Sequence, residues 1–331
     1  MKRVTRSVLA AAGASALLLM TACSSGGTSS GGAPSEDGEL QKVAICTGAQ
    51  PDYAPLWVAE ELGMWEDEFG IDLEIDVCAT SPIAIAAILN DERQASNNSV
   101  TGVSTAVGQG IPAKVIFPTT YQPTEGNTGV IVPVDSDIQT FADLEGKTLG
   151  TITVQGLFHL GLADAMRNQG ADPNKMKVVG SAPADLEALL KSGKVDAVMV
   201  QDAFFTQIME NLGDTVRDIG NPFAEVSWGE NLVIGAMVAS EKQLKDNPEL
   251  YKKLRDGWAR AIELAEENPD VVREVVAEYT GLAPDLLDRI TWGEYTTEIP
   301  EESTMEMLET MLEFGFVKAI PEFSDIVWDG N

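Results

Sequence analysis

Between Val43 and Val77 the chain sets a short apolar run, a polar loop, an amphipathic stretch and an alternating run in close succession. Val43 to Cys46 (VAIC) is long enough for a buried strand. Ala54, Trp57, Val58 and Leu62 recur at helical spacing and are expected to bury, leaving Glu60 and Glu61 in water. Gly63 loosens the end of that helix, and residues 71–77 (IDLEIDV) alternate apolar and polar as a half-buried strand does. Two strands joined through a helix at this distance predict a parallel βαβ unit, since parallel neighbours need a crossover. Sheets of that kind bind ligands beyond the carboxyl ends of their strands. The loop TGAQPDY lies at such an end, which makes Gln50, Asp52 and Tyr53 candidate ligand contacts.

The rest of the chain extends this unit. Ser81 is expected to cap a helix that Pro82 begins. Residues 91–98 are polar and read as a connection, Ser99 caps a second short helix, and residues 114–120 read as a strand. Residues 121–127, with Pro123 and Gly126, read as a crossing into new territory. Strands and helices then alternate from 128 to 220. Residues 221–230 cross back, and the apolar run 232–239 is a strand returned to the first lobe. Asn247-Pro248 and Asn268-Pro269 start helices. The first is expected to bury Leu250, Leu254, Trp258, Ile262 and Ala265, and the second Val272, Val275, Val276 and Tyr279. Residues 302–316 form a last amphipathic helix. At 331 residues the chain suits two lobes rather than one core. The expectation is an α/β fold with two crossings: lobe 1 from residues 41–124 and 225–331, lobe 2 from residues 125–224.

The N-terminus carries an export signal. Lys2, Arg3 and Arg6 precede a short apolar run, Val8 to Leu19, too short for a comfortable membrane span. Met20-Thr21-Ala22-Cys23 follows. A Cys directly after a small residue resembles the bacterial lipoprotein signal, in which that Cys becomes the lipidated (palmitate-bearing) first residue. An ordinary signal peptide over residues 1–22 is the alternative. Residues 23–40 are rich in Ser and Gly and read as a flexible tether. The expected location is extracytoplasmic, at a bacterial cell membrane.

Net charge is −30, and removing residues 1–22, which carry three cations and no acid, leaves −33. Such a surface repels the phosphate backbone, so no nucleic-acid partner is expected. Cys46 and Cys78 remain at the ends of the first two strands. An even number in an exported chain suggests a disulfide, and neighbouring strands, ~4.8 Å apart, permit one. Two buried free thiols are the alternative. Neither Cys has a partner at zinc-finger spacing, so no metal is expected.

The run YAPLWVAEELGMWEDEFGIDLEI supplies Tyr53, Pro55, Val58-Ala59, Gly63 and Gly70. It resembles the first motif of the solute-binding proteins of ABC importers, in the nitrate/sulfonate/taurine and thiamine-precursor branch. DLEGKTLG (143–150), LKSGKVDAV (190–198) and the Asn-Pro helix starts add to the resemblance, which covers residues 41–331. Residues 90–98 depart from it, because the branch often has a small-residue strand there. The resemblance implies a type II periplasmic-binding-protein-like clamp. It would be a monomer without a cofactor that hands a small solute to an ABC permease and, through it, to ATPase subunits.

Further candidate contacts follow from the fold so expected. Helix N-termini at Ser81, at Asn98-Ser99 and at the turn holding Thr153 and Gln155 suit an anionic group, though each can be a bare cap. Tyr121 and Gln122 stand at the first crossing, and Trp228 and Glu230 in the second. Asp202 and Phe204 follow a strand end. Asp202 could hold a ligand ammonium, with helix capping as the alternative. His159 is the only histidine, and no nucleophile elbow or Gly-Lys phosphate loop is present, which weighs against enzymatic chemistry. The rivals to an import receptor are an enzyme on the same fold and a ligand-sensing lipoprotein.

Overall fold

A computed structural model describes residues 40–330 except 79, 123, 125, 127 and 290–292, and leaves out the side chains of residues 202 and 284. The signal segment 1–22, Cys23 and the tether up to residue 39 lie outside the described residues. All elements below belong to one compact unit, Leu40–Asn331.

The chain runs through β1 (Gln41–Thr47), a 3-10 turn (Pro51–Tyr53), α1 (Ala54–Glu61), α2 (Met64–Phe69), β2 (Ile71–Val77), α3 (Ser81–Leu89), β3 (Ala95–Ser99), α4 (Val100–Gly108) and β4 (Ala113–Pro118). It continues with β5 (Thr128–Pro133), β6 (Thr148–Thr151), α5 (Leu157–Asn168), β7 (Lys177–Gly180), α6 (Pro183–Lys191), β8 (Ala197–Gln201), α7 (Asp202–Leu212) and β9 (Val216–Asp218). The last part is β10 (Gly235–Ser240), α8 (Glu241–Asp246), α9 (Pro248–Glu267), α10 (Pro269–Thr280), α11 (Pro284–Leu287), α12 (Glu301–Glu313) and α13 (Phe323–Ile326).

Two sheets result, in the orders β2-β1-β3-β10-β4 and β7-β6-β8-β5-β9. The expected βαβ unit is present: β1 and β2 pair in parallel from Gln41 opposite Ile71 to Thr47 opposite Val77. Both sheets follow one plan. Three parallel strands are followed by an antiparallel strand that enters straight after a crossing, β10 in the first sheet and β5 in the second. The fold is thus the two-lobed α/β arrangement of periplasmic binding proteins.

Adjacent strand residues point to opposite faces, and the cores divide accordingly. Ile116 and Met237 join the cluster under α1, α9 and α10, whereas Val115 and Ala236 join a second cluster. In the other sheet Ile131 and Val198 face α6 and α7, whereas Val130 and Met199 turn to the second cluster. That second cluster contains residues of both sheets together with Met307, Leu308 and Met311 of α12. Apolar packing therefore continues from one sheet to the other past α12.

Three local expectations need correction. Residues 95–99 (ASNNS) form a strand rather than a connection, because β1 pairs with it on one side and β10 on the other. Pairing on both edges overrides the low strand propensity of Asn. Leu62 is 41% exposed. α1 ends at Glu61 and Gly63 takes a left-handed φ of 76°, so Leu62 turns out of the packed face, while Leu56 and Ala59 bury instead. Ser81 is the first residue of α3 and Thr80 holds the capping position, since Pro82 fits the second helical position as well as the first. α2 and α8 are short helices that the sequence reading did not separate from their surroundings.

Candidate functional site

A cavity of about 500 Å³ lies at the carboxyl ends of the parallel strands, lined from both sheets. β1 runs out into the turn that carries Gln50, Asp52 and Tyr53, and β2 leads to Ser81. β3 brings Asn97, Asn98 and Ser99. From the second sheet, β6 leads to Ile152, Thr153 and Gln155, and β8 ends at Gln201. Of the sequence candidates, Gln50, Asp52, Tyr53, Ser81, Asn98, Ser99, Gln122, Thr153 and Gln155 meet on this one wall.

Four helices, α3, α4, α5 and α7, begin at the cavity. Their first N–H groups have no partner within the helix and leave a partial positive charge there. Only α4 is capped by its own side chain, Ser99 Oγ accepting the Gly102 N–H at 3.0 Å. The turn into α5 is tight: Gln155 has φ 60° and its N–H donates to His159 Nδ1 at 3.0 Å. Burial pushes His159 down to about 4, so at neutral pH its imidazole is the neutral acceptor this bond needs.

Asp52 is the only charged side chain on the wall among the described residues, and no Lys, Arg or His joins it. Burial pushes its carboxyl up to about 6, opposed by the neighbouring Thr120 hydroxyl. The Tyr53 hydroxyl is raised by burial and then by the Asp52 charge, opposed by a bond with Asn97. Tyr295, raised by the same two causes, donates its hydroxyl to the Pro51 carbonyl at 3.1 Å and fixes the turn that carries Asp52. The side-chain carbonyl oxygens of Asn97 and Asn98 are buried without a partner among the described residues. Asn98 is only 3% exposed. Cys46 and Cys78 are joined, with Cα atoms 5.5 Å apart, at the roots of the two loops that carry Asp52 and Ser81. Of the two sequence alternatives for this pair, the disulfide is the one present.

Other candidates lie elsewhere. Trp228 is buried against Phe223 and donates its indole N–H to Asp164 Oδ2 at 2.6 Å; an aromatic with one polar handle has here found an internal partner. Glu230 is exposed to solvent. Phe204 packs on the core under α6 and α7, and Tyr121 packs on the shared cluster while its backbone bridges to Val233. The Asp202 side chain lies outside the described residues. The sequence reading missed Asn97, Thr101, Thr105, Gln201 and Phe158. One signal was available: four consecutive polar residues, 96–99, between two apolar helices are costly in a strand unless a cavity uses them.

The model of the NMT1/THI5-like family matches residues 50–271. No curated protein sequence gives a significant match. Among solved structures, the chain is similar to the periplasmic aliphatic sulphonate binding protein SsuA from Escherichia coli. Identity is 16% and TM-score 0.71, covering 87% of this chain and 97% of that one. The alkanesulfonate-binding protein SsuA from Xanthomonas axonopodis pv. citri, bound to MOPS, gives 18% identity, coverage of 88% and 99%, and TM-score 0.65. The periplasmic nitrate-binding protein NrtA from Synechocystis PCC 6803 gives 13%, 85% and 83%, and 0.64.

Proposed function

Because the chain belongs to the NMT1/THI5-like family, we propose that it is the extracytoplasmic solute-binding component of an ABC import system. Acyl chains on Cys23 hold it to the membrane, and residues 23–40 tether the folded unit. Lobe 1 (41–124 with 225–331) and lobe 2 (125–224) close about the two crossings on a small organic solute. The closed form delivers the solute to a permease driven by ATPase subunits. The fold neighbours are named for sulfonate and nitrate binding, which supports a small polar solute for this chain.

The observation that carries this reading is the unfinished wall of the cavity. A buried polar atom without a partner costs about 1–3 kcal/mol. Asn98 Oδ1 is such an atom, and it lies just before the start of α4 on a wall shared with other hydroxyls and amides. An entering polar solute completes those bonds.

A thermal-shift screen of the purified protein against sulfonates, taurine, nitrate, aromatic carboxylates and thiamine-precursor-like pyrimidines tests it. A solute at 100 times its Kd adds ~2.7 kcal/mol of stability. A shift from one class, with the solute recovered chemically unchanged, is expected. No shift from any class, or turnover of the solute, contradicts it. For the anchor, mass analysis of the membrane-bound protein should find an acylated Cys23 at the N-terminus, and an unmodified Cys23 would contradict the lipid link.

A further inference from the structure

The charge on the cavity wall narrows the solute class. Asp52 stands half-buried on the wall and makes no ion pair with any described residue, whereas several described Arg and Lys side chains pair with acids elsewhere. An unpaired carboxylate away from water is costly unless something compensates it. Two more acceptors, the side-chain carbonyl oxygens of Asn97 and Asn98, share the wall without partners. The part of the wall supplied by the first sheet therefore offers unpartnered amide acceptors and carries one carboxylate charge. It suits a group that donates several hydrogen bonds and bears positive charge. A solute that is only an anion would meet the Asp52 carboxylate with no cation between them.

We propose that the solute carries a nitrogen cation, a protonated amine or amidine, which pairs with the Asp52 carboxylate and donates to Asn97 or Asn98. Asp52 is in this view the residue that sets charge preference, and monoanions such as nitrate and simple sulfonates are rejected. The uncapped starts of α5 and α7 lie on the same cavity. They leave room for an acceptor at the far end of the molecule, so zwitterions are admitted. This inference rests on the reading of the cavity as a solute site.

The test uses two matched probe sets: ethylamine, taurine and ethanesulfonate, and benzamidine, 4-(aminomethyl)benzoate and benzenesulfonate. Each is titrated against the purified wild type and Asp52→Asn, with thermal shift and calorimetry as readouts. The variant keeps the shape of the side chain, and its circular dichroism checks the fold. Binding is expected from amine- or amidine-bearing probes, with at least a tenfold loss of affinity in Asp52→Asn. Binding of ethanesulfonate or benzenesulfonate to the wild type, or amine binding unchanged in Asp52→Asn, overturns the charge preference and leaves solute capture standing. No shift from any of the six, nor from the broader screen above, overturns capture and the preference together.

Discussion

Removing the Cys46–Cys78 bridge isolates one structural contribution to both stability and the site. The two cysteines are 32 positions apart, and the loop they close contains α1, α2 and β2. Freeing such a loop in the unfolded chain lowers stability by about 3–4 kcal/mol on the chain-entropy estimate. For a folded unit of this length the unfolding entropy is large, so the shift in Tm is roughly 6 °C. Cys46→Ala with Cys78→Ala is the cleaner perturbation, because Cys46 is fully buried and a serine there would bury a hydroxyl. Calorimetry of the double variant beside the oxidised wild type reads the difference. Alkylation mapping under denaturing, non-reducing conditions should leave both wild-type cysteines unlabelled. Because the bridge sits at the roots of the loops bearing Asp52 and Ser81, solute affinity should fall as well. A Tm change under about 2 °C, with the wild-type bridge confirmed intact, would refute the reasoning.

Three further outcomes are expected. A Cβ on Gly257 would run into the six-membered ring of buried Trp65, so Gly257→Ala should lose about 1–3 kcal/mol in urea unfolding, and a neutral result contradicts that packing. Asp52 is raised from 3.8 to about 6 in the folded state, so folding takes up a proton between those values and its contribution is lost as pH rises through that window. Asp52→Asn should accordingly gain stability relative to wild type on the order of 1–3 kcal/mol at pH 7 and little below pH 4, and a pH-independent difference would count against it. Trp228→Phe removes one of the donors to the buried Asp164 carboxylate and should cost about 1–3 kcal/mol by chemical denaturation without changing solute affinity. A loss of affinity at unchanged stability would instead place Trp228 at the solute.

Much of the fold was legible because period and punctuation agreed. The run Val43–Val77 carried two strand patterns about a helix, and its parallel pairing followed. Asn247-Pro248 and Asn268-Pro269 marked helix starts to the residue. What escaped was decided by distant partners. β3 reads as a polar connection until β10, some 140 positions away, pairs with it. The site followed the same division. Residues directly after strand ends (Gln50, Asp52, Thr153) could be placed from the strands alone, and Ser99 from the helix it caps. Asn97 needed the unrecognised strand, and Thr101 and Thr105 needed the face of α4 that turns to the cavity. Trp228 looked like a ligand contact because a tryptophan near a crossing is conspicuous, and its partner Asp164 lies 64 positions away.

The cavity at the strand ends as the place of solute capture is tested most directly by one calorimetric comparison. The solute giving the largest thermal shift is titrated into wild type and Asn98→Leu, a change that removes the unpartnered buried carbonyl, with circular dichroism and Tm of the variant checking its fold. One site per chain, with affinity at least tenfold lower in the variant, is expected. Equal affinity in the two proteins would contradict capture at this wall.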